Sequence, residues 1–159
     1  MLNKPASQLA EADLQLLITD SVGERRNIDY KRDLPGTTDS DKKEFLADVS
    51  SFANAIGGFL IFGMTEAGGF PTSICGTKAT DTDREGQRID NLLASGLQPR
   101  IRYEPAWIVT AQGPVLLIEI EKSLIFRESR RNAKRGLTFQ LATRKRDDRC
   151  GAGDHESPA

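Results

Sequence analysis

The fold is decided by residues 41–63, which read DKKEFLADVSSFANAIGGFLIFG. Asp41 and Glu44 stand three residues apart at its start, a spacing typical of a capping box at a helix N-terminus. Apolar side chains then recur at i, i+4, i+7 and i+11 and form one stripe along a helix. The members of the stripe are Phe45, Val49, Phe52 and Ile56. The segment therefore predicts an amphipathic helix that begins at Asp41.

Two adjacent glycines, Gly57 and Gly58, follow this stripe. They are expected to end the helix, because glycine adopts the left-handed cap conformation without a Cβ penalty. Residues 59–62 come next and are all apolar. A short run that is apolar on both faces is typical of a central strand that is covered on each side.

Weaker patterns on either side complete the domain. They predict, in chain order, a leading helix within 7–18, a half-buried strand within 27–33, a hairpin at 66–76, a helix from Thr80 or Asp81 to Leu93, and strands at 101–109 and 115–120. The order is βαβαββ with a leading helix and a small inserted hairpin. This order predicts an α+β fold, or a small mixed-sheet α/β sandwich.

Length and composition fit one globular domain. The chain has 159 residues, of which 38% are hydrophobic and 28% charged. No apolar run approaches the roughly 20 residues of a membrane span, and the N-terminus has no signal-peptide pattern. We therefore expect a cytoplasmic protein that does not contact a membrane. Cys75 and Cys150 give neither a disulfide framework nor a zinc spacing.

Charge is distributed unevenly along the chain. Residues 1–120 hold 12 Lys and Arg against 17 Asp and Glu, whereas residues 121–159 hold 10 against 6. Periodicity is lost after Lys122, so we expect a domain at 1–123 and a basic, partly disordered tail at 124–159. Because the net charge is only −1, any contact with a polyanion must use a local cluster of cations.

Nucleophilic and nucleotide-dependent catalysis find little support in the sequence. The single histidine, His155, lies in the tail, whereas a catalytic triad needs a base held in place by packing. The chain also lacks the G-x-x-x-x-G-K-[ST] phosphate loop, so no motif for binding ATP is present.

Three acids form a candidate metal site. If the first predicted strand and the central strand are neighbours, Glu24, Asp29 and Glu66 converge near one end of the sheet. Carboxylate oxygens suit Mg²⁺ or Mn²⁺, which support phosphodiester hydrolysis. Lys31 projects to the same strand face as Asp29 and is a candidate to hold a phosphate. The alternative is that all four are ordinary charges facing solvent.

Basic residues form a second pattern, around the first strand and the start of the main helix. The candidate phosphate contacts are Arg25, Arg26, Lys31, Arg32, Lys42, Lys43, Arg100 and Arg102. Lysines at a helix N-terminus are suited to anchor phosphate, because free amides and the helix dipole add to their charge. The alternative is a solvated charged face. Tyr30 and Tyr103 are candidates to stack on a base, although an aromatic residue in a strand is more often part of the core.

Two blocks of the sequence resemble the Schlafen AlbA-type domain family. The first is Glu24 with the segment 28–31, against a glutamate and an E-[FY]-K segment in the family. The second is FANAIGGFLIFG at 52–63, against F-A-N-x-x-G-G-x-[LI]-x-[IF]-G. Weaker likenesses at 74–76, 81–93, 98–101 and 117–123 extend the resemblance over residues 10–123, and the second block is its specific part.

The resemblance implies an AlbA-like two-layer sandwich that binds nucleic acid, often described as a DNA-binding domain of bacterial regulators. Some eukaryotic members are RNA endonucleases that use three acids. By position, the first two acids fall on Glu24 and Asp29 and the family lysine on Lys31. Thr65 takes the place nearest to the third acid, with Glu66 next, so binding ranks above catalysis.

We therefore expect a nucleic-acid-binding domain, for DNA rather than RNA, within a transcription regulator. Binding itself needs no cofactor. The alternatives are an RNA endonuclease that acts on structured RNA with Mg²⁺ or Mn²⁺, and a protein-interaction domain. An uncovered sheet edge invites a homodimer. Because the tail from Leu124 departs from the family pattern, a truncated or frameshifted C-terminus is a further hypothesis.

Overall fold

The computed structural model describes residues 4–23 and 27–123, together with the backbone of 138–139. Its elements are a 3-10 turn at Ala6–Gln8, α1 (Glu11–Thr19), β1 (Ile28–Lys31), α2 (Asp39–Asn54), β2 (Gly58–Phe62), β3 (Met64–Ala67), β4 (Phe70–Ile74), α3 (Thr82–Gly96), β5 (Leu97–Gln98), β6 (Tyr103–Thr110), β7 (Gly113–Ile120) and β8 (Thr138–Phe139). None of the helices in the described ranges has the length and apolar character of a membrane span.

Four strands form the central sheet, in the order β1-β2-β7-β6. β1 runs parallel to β2, and β7 runs antiparallel to both β2 and β6. Parallel neighbours need a crossover connection, and α2 provides it. β3 and β4 pair as a separate hairpin inserted after β2. The succession β1, α2, β2, α3, β6 and β7 confirms the predicted α+β fold of order βαβαββ.

Helix α2 begins before the predicted residue. The Thr38 hydroxyl accepts a hydrogen bond from the Asp41 amide at 3.2 Å, and the Asp41 carboxylate accepts one from the Thr38 amide at 3.3 Å. Thr38 is therefore the N-cap and Asp41 the third residue of the helix, so the prediction of a start at Asp41 is wrong. Both side chains carry the oxygen acceptor that a cap requires, and the sequence pattern favoured the later one. Ile56 follows the helix end and is exposed.

The glycine stop after α2 is confirmed. Gly57 has a φ of 76°, in the left-handed region that glycine adopts readily. A Cβ at Gly57 would lie 2.6 Å from the Ile120 carbonyl oxygen and 2.9 Å from the Lys122 amide nitrogen. This position therefore needs glycine both for its conformation and for the close approach of the chain that follows β7.

Apolar side chains cover both faces of the sheet. Helices α2 and α3 pack on one face, where Leu46 and Ile89 meet Leu60 of β2. Helix α1 and the β3–β4 hairpin pack on the other face, where Leu14 contacts the layer that contains Ile61. β2 is therefore the buried central strand that its sequence predicted.

The N-terminal ends of α2 and α3 lie at the same end of the sheet. α2 follows the carboxyl end of β1. The segment before α3 is held beside the carboxyl end of β2, because the Gly63 carbonyl accepts a hydrogen bond from the Gly76 amide at 2.9 Å. The Thr77 amide donates to the Pro114 carbonyl at 2.7 Å, near the start of β7. The loop before α2 and the first turns of α3 thus meet at this end.

Beyond residue 123, the structure describes only the backbone of β8. β8 pairs antiparallel with β5, with residue 139 opposite Leu97. β8 lies within the predicted tail, and its partner β5 lies within the predicted domain. The rest of the tail, 124–137 and 140–159, is outside the described residues.

Candidate nucleic-acid interface

A cleft of about 750 Å³ separates the segment 33–37 from the first turns of α3. Its lining residues define what we call the α3 cleft: Asp33, Leu34, Thr37, Lys78, Ala79, Thr80, Asp81, Arg84, Glu85, Gln87, Arg88 and Asn91. A smaller pocket of about 150 Å³ shares Asp33 and Leu34 with the cleft and continues to Lys31 and Asp48. The two form one groove at the end of the sheet where α2 and α3 begin.

Helix α3 presents a polar stripe to this cleft. Arg84, Gln87, Arg88 and Asn91 all line the cleft and are spaced i, i+3, i+4 and i+7, so they share one helix face. Ile89, on the side of α3 that packs against the sheet, is buried. The helix is therefore anchored by its apolar side and leaves its polar side to the cleft.

Arg88 fixes the position of α3 against the opposite wall of the cleft. Its Nη2 donates a hydrogen bond to the Pro35 carbonyl at 2.7 Å, and its Nε donates to the Glu85 carboxylate at 2.9 Å. Hydrogen bonds from a charged donor are stronger than neutral ones. Arg88 therefore ties the helix to the segment 33–37 and positions the walls of the cleft.

Several cations at this end of the sheet are exposed and have no ion-pair partner within the described residues. They are Arg32, Lys43, Lys78 and Arg84. Lys42 has only a weak partner, because its ammonium lies 3.9 Å from an Asp39 carboxylate that is 87% exposed. These five side chains are available to contact an anion.

Lys31 differs from these cations. Its ammonium lies 3.1 Å from Asp48, 3.3 Å from Asp29 and 3.7 Å from Glu44. We call these four residues the Lys31 cluster. Lys31 and Asp29 share the strand face that looks toward α2, as their two-residue spacing predicted. Three carboxylates around one ammonium leave the cluster negative, which disfavours a phosphate beside Lys31.

The pKa values in the cluster follow from burial and from these charges. Burial lowers the pKa of Lys31, but the hydrogen bond from its ammonium to Asp48 and the charges of Asp29 and Asp48 outweigh burial and hold that pKa above its ordinary value. Burial raises the pKa of the Asp48 carboxyl above its ordinary value, although Lys31 acts against it. The nearby charges of Asp29 and Glu44 raise it further. Lys31 is thus firmly charged, and Asp48 is an acid whose charged form is disfavoured.

Arg100 and Arg102, which were also predicted to contact phosphates, are not brought to the α3 cleft. Arg100 and Arg102 precede β6, whose first residue, Tyr103, pairs with Ile120 at the far end of β7. They therefore lie at the opposite end of the sheet from the cleft. Arg25 and Arg26 fall outside the described residues.

Of the three acids predicted to hold a metal, the two that the structure describes make other contacts. Asp29 pairs with Lys31 on the α2 side of the sheet. The Glu66 carboxylate accepts a hydrogen bond from the Gly69 amide at 2.7 Å, in the hairpin that packs with α1 on the other side. Glu24 lies outside the described residues. Within the described ranges, no three acidic, histidine or cysteine side chains are grouped to hold a metal ion.

Neither tyrosine offers an open ring for a base. Tyr30 is 2% exposed, and its hydroxyl donates to the Val22 carbonyl at 2.7 Å. The Tyr103 hydroxyl donates to Asp90 at 2.8 Å. Burial, together with that hydrogen bond and the charge of Asp90, raises the pKa of Tyr103 to about 12. Both rings are therefore parts of the packed structure.

The residues of α3 that face the cleft, together with Lys78, were not among the predicted site residues. Only the apolar side of this helix entered the prediction. The spacing of Arg84, Gln87 and Asn91 could have shown from the sequence that they share one helix face. The sequence could not show that this face lies opposite residues 33–37, because the two segments are distant in sequence.

The chain is similar to one protein family and to solved structures of two other proteins. The family model described as Schlafen, AlbA_2 matches residues 24–146. The solution structure of the N-terminal domain of a RecG-related protein from Nitrosomonas europaea is similar, with 20% identity, a TM-score of 0.52, and coverage of 91% of this chain and 97% of that one. The DIP2311 protein from Corynebacterium diphtheriae gives 17% identity and a TM-score of 0.41 over 70% of this chain and 25% of that one. No curated protein matches the chain. The likeness to the first structure supports the fold alone.

Proposed function

We propose a nucleic-acid-binding function for this chain, which belongs to the Schlafen AlbA_2 family. Membership of the family confirms the resemblance seen in the sequence. The observation that supports the proposal is the set of available cations around the α3 cleft: Arg32, Lys42, Lys43, Lys78 and Arg84. They come from three separate segments of the chain, yet all lie at one end of the sheet.

The cations outside the cleft lining, Arg32, Lys42 and Lys43, would act by neutralising phosphates. Each phosphate contact releases condensed counterions, so affinity falls as the salt concentration rises and is independent of base sequence. The chain has a net charge of only −1, and the Lys31 cluster beside the groove is negative. Binding would therefore depend on this group of cations and not on the overall charge. DNA is the expected polyanion, and a transcription regulator is the expected setting, as the family resemblance implies.

The test is a titration of fluorescently labelled DNA, followed by anisotropy at several salt concentrations. Replacing Lys42 and Lys43 together with glutamine should reduce the slope of log affinity against log salt by about 2. The matched control replaces Arg100 and Arg102 with glutamine. It removes the same charge from the opposite end of the sheet and should leave the slope unchanged.

Two results would refute the proposal. One is the absence of salt-dependent binding to any DNA probe. The other is an equal loss of slope in the two double variants, because binding would then depend on total charge and not on the end of the sheet that holds the α3 cleft.

A further inference from the structure

We propose that the α3 cleft binds one unpaired strand of nucleic acid, with bases inside the cleft and phosphates outside it. Arg84, Gln87 and Asn91 would contact the edges of purine bases. This inference rests on the nucleic-acid-binding function proposed above and names the form of nucleic acid that the cleft fits.

The charge of the lining favours bases inside the cleft. Its three cations are Lys78, Arg84 and Arg88, and its three acids are Asp33, Asp81 and Glu85. A balanced polar lining does not attract a chain of phosphates, but it suits neutral bases with many hydrogen-bonding groups. Arg32, Lys42 and Lys43 lie outside the lining and are the cations suited to the phosphates.

The side chains on the stripe match purine edges. Gln87 and Asn91 are exposed, and the described part of the structure shows no hydrogen bond from either side-chain amide. A side-chain amide pairs with N6 and N7 of adenine, and an arginine pairs with O6 and N7 of guanine. Arg84, whose guanidinium has no ion pair within the described residues, can take the second role.

The spacing of the stripe favours unstacked bases. Gln87 and Asn91 are four residues apart on α3, which places them about 6 Å apart along the helix axis. Stacked bases in one strand are separated by about 3.4 Å. Neighbouring bases that are splayed apart, as in single strands, match this spacing better than stacked ones.

The shape of the cleft excludes a duplex from the stripe. To read a major groove about 12 Å wide, a helix must protrude into it. Here the stripe faces the segment 33–37, and the Arg88 hydrogen bond to the Pro35 carbonyl, at 2.7 Å, holds the two walls together. The volume of about 750 Å³ is that of a small-ligand pocket. Among the described residues that line the cleft, none is aromatic, so hydrogen bonds and not ring stacking would select the base.

The test compares the binding of labelled oligonucleotides of about 12 nucleotides, a length within the usual site size of single-strand binders. The probes are oligo-dA, oligo-dT and a mixed-sequence duplex. We expect oligo-dA to bind about tenfold more tightly than oligo-dT. The double variant Gln87→Ala, Asn91→Ala should bind both oligonucleotides equally, while its salt slope stays that of the wild type.

Gln112→Ala is the matched control, because it removes an exposed amide from the β6–β7 turn, outside the cleft. It should keep the preference for oligo-dA. Equal affinity of the wild type for the two oligonucleotides, or a preference that survives in the double variant, would overturn the inference while salt-dependent binding still supports the proposed function. Tighter binding of the duplex would also overturn it. Failure of every probe to bind would overturn both proposals.

Discussion

Replacing Lys31 with methionine should destabilise the domain by about 1–2 kcal/mol at neutral pH. Lys31→Met keeps a long apolar side chain but leaves Asp29, Glu44 and Asp48 together without their cation. Exposed ion pairs contribute up to about 1 kcal/mol, and breaking a buried pair costs about 3–5 kcal/mol. The side chains of Lys31, Asp29 and Asp48 are 25–31% exposed and that of Glu44 is 72% exposed, so the expected loss lies toward the lower range.

The size of this loss should depend on pH. In the wild type, the raised pKa of Lys31 stabilises the fold at every pH below the unfolded value of lysine, and that contribution is lost as pH rises through the folded pKa. In the variant, protonation of Asp48, whose pKa burial already raises, would relieve the repulsion among the carboxylates. The difference between the two proteins is therefore expected to be largest near pH 7 and to shrink as pH falls through about 4.

Urea unfolding at neutral and acidic pH measures this difference. Lys43→Met is the control, since Lys43 is exposed and has no ion pair within the described ranges, and it should change the free energy of unfolding by less than about 0.5 kcal/mol. The predicted role of the Lys31 cluster is refuted if Lys31→Met is as stable as the wild type at neutral pH, or if its loss of stability is the same at both values of pH.

Two further measurements test the packing at the end of the sheet opposite the α3 cleft. Gly57→Ala should lower the free energy of unfolding by about 2–3 kcal/mol, because the new Cβ adds a clash with the Ile120 carbonyl oxygen to the strain of a positive φ. Gly68→Ala, with a φ of 60° and open space around it, should cost only the strain of about 1 kcal/mol, and equal losses would refute the packing argument. Removing the Tyr103 hydroxyl with Tyr103→Phe should lower stability below pH 10 by about 1 kcal/mol. That difference should fade as pH rises toward the pKa of about 12, so a loss that does not change in urea titrations between those values would contradict the role of the Asp90 hydrogen bond.

Local patterns predicted the elements at the centre of the fold correctly. The apolar stripe, the glycine stop at Gly57 and the apolar run after it gave a helix and a buried strand, because helical periodicity and glycine conformation are fixed by neighbouring residues. The predicted start of α2 was wrong because Thr38 and Asp41 are both suited to cap a helix. The sequence does not show which backbone amides are free at this point.

Local sequence patterns thus predicted the order of the main helices and strands, the α+β class and the family. Which charged groups meet depends on the tertiary structure. It pairs Lys31 with acids of α2, ties Arg88 to Pro35 across 53 residues, and carries Arg100 to the far end of the sheet from Lys78. The physical reason is the sequence separation of the interacting residues. Periodicity and caps depend on residues a few positions apart, whereas the partners of a charge depend on how distant segments pack around the shared core.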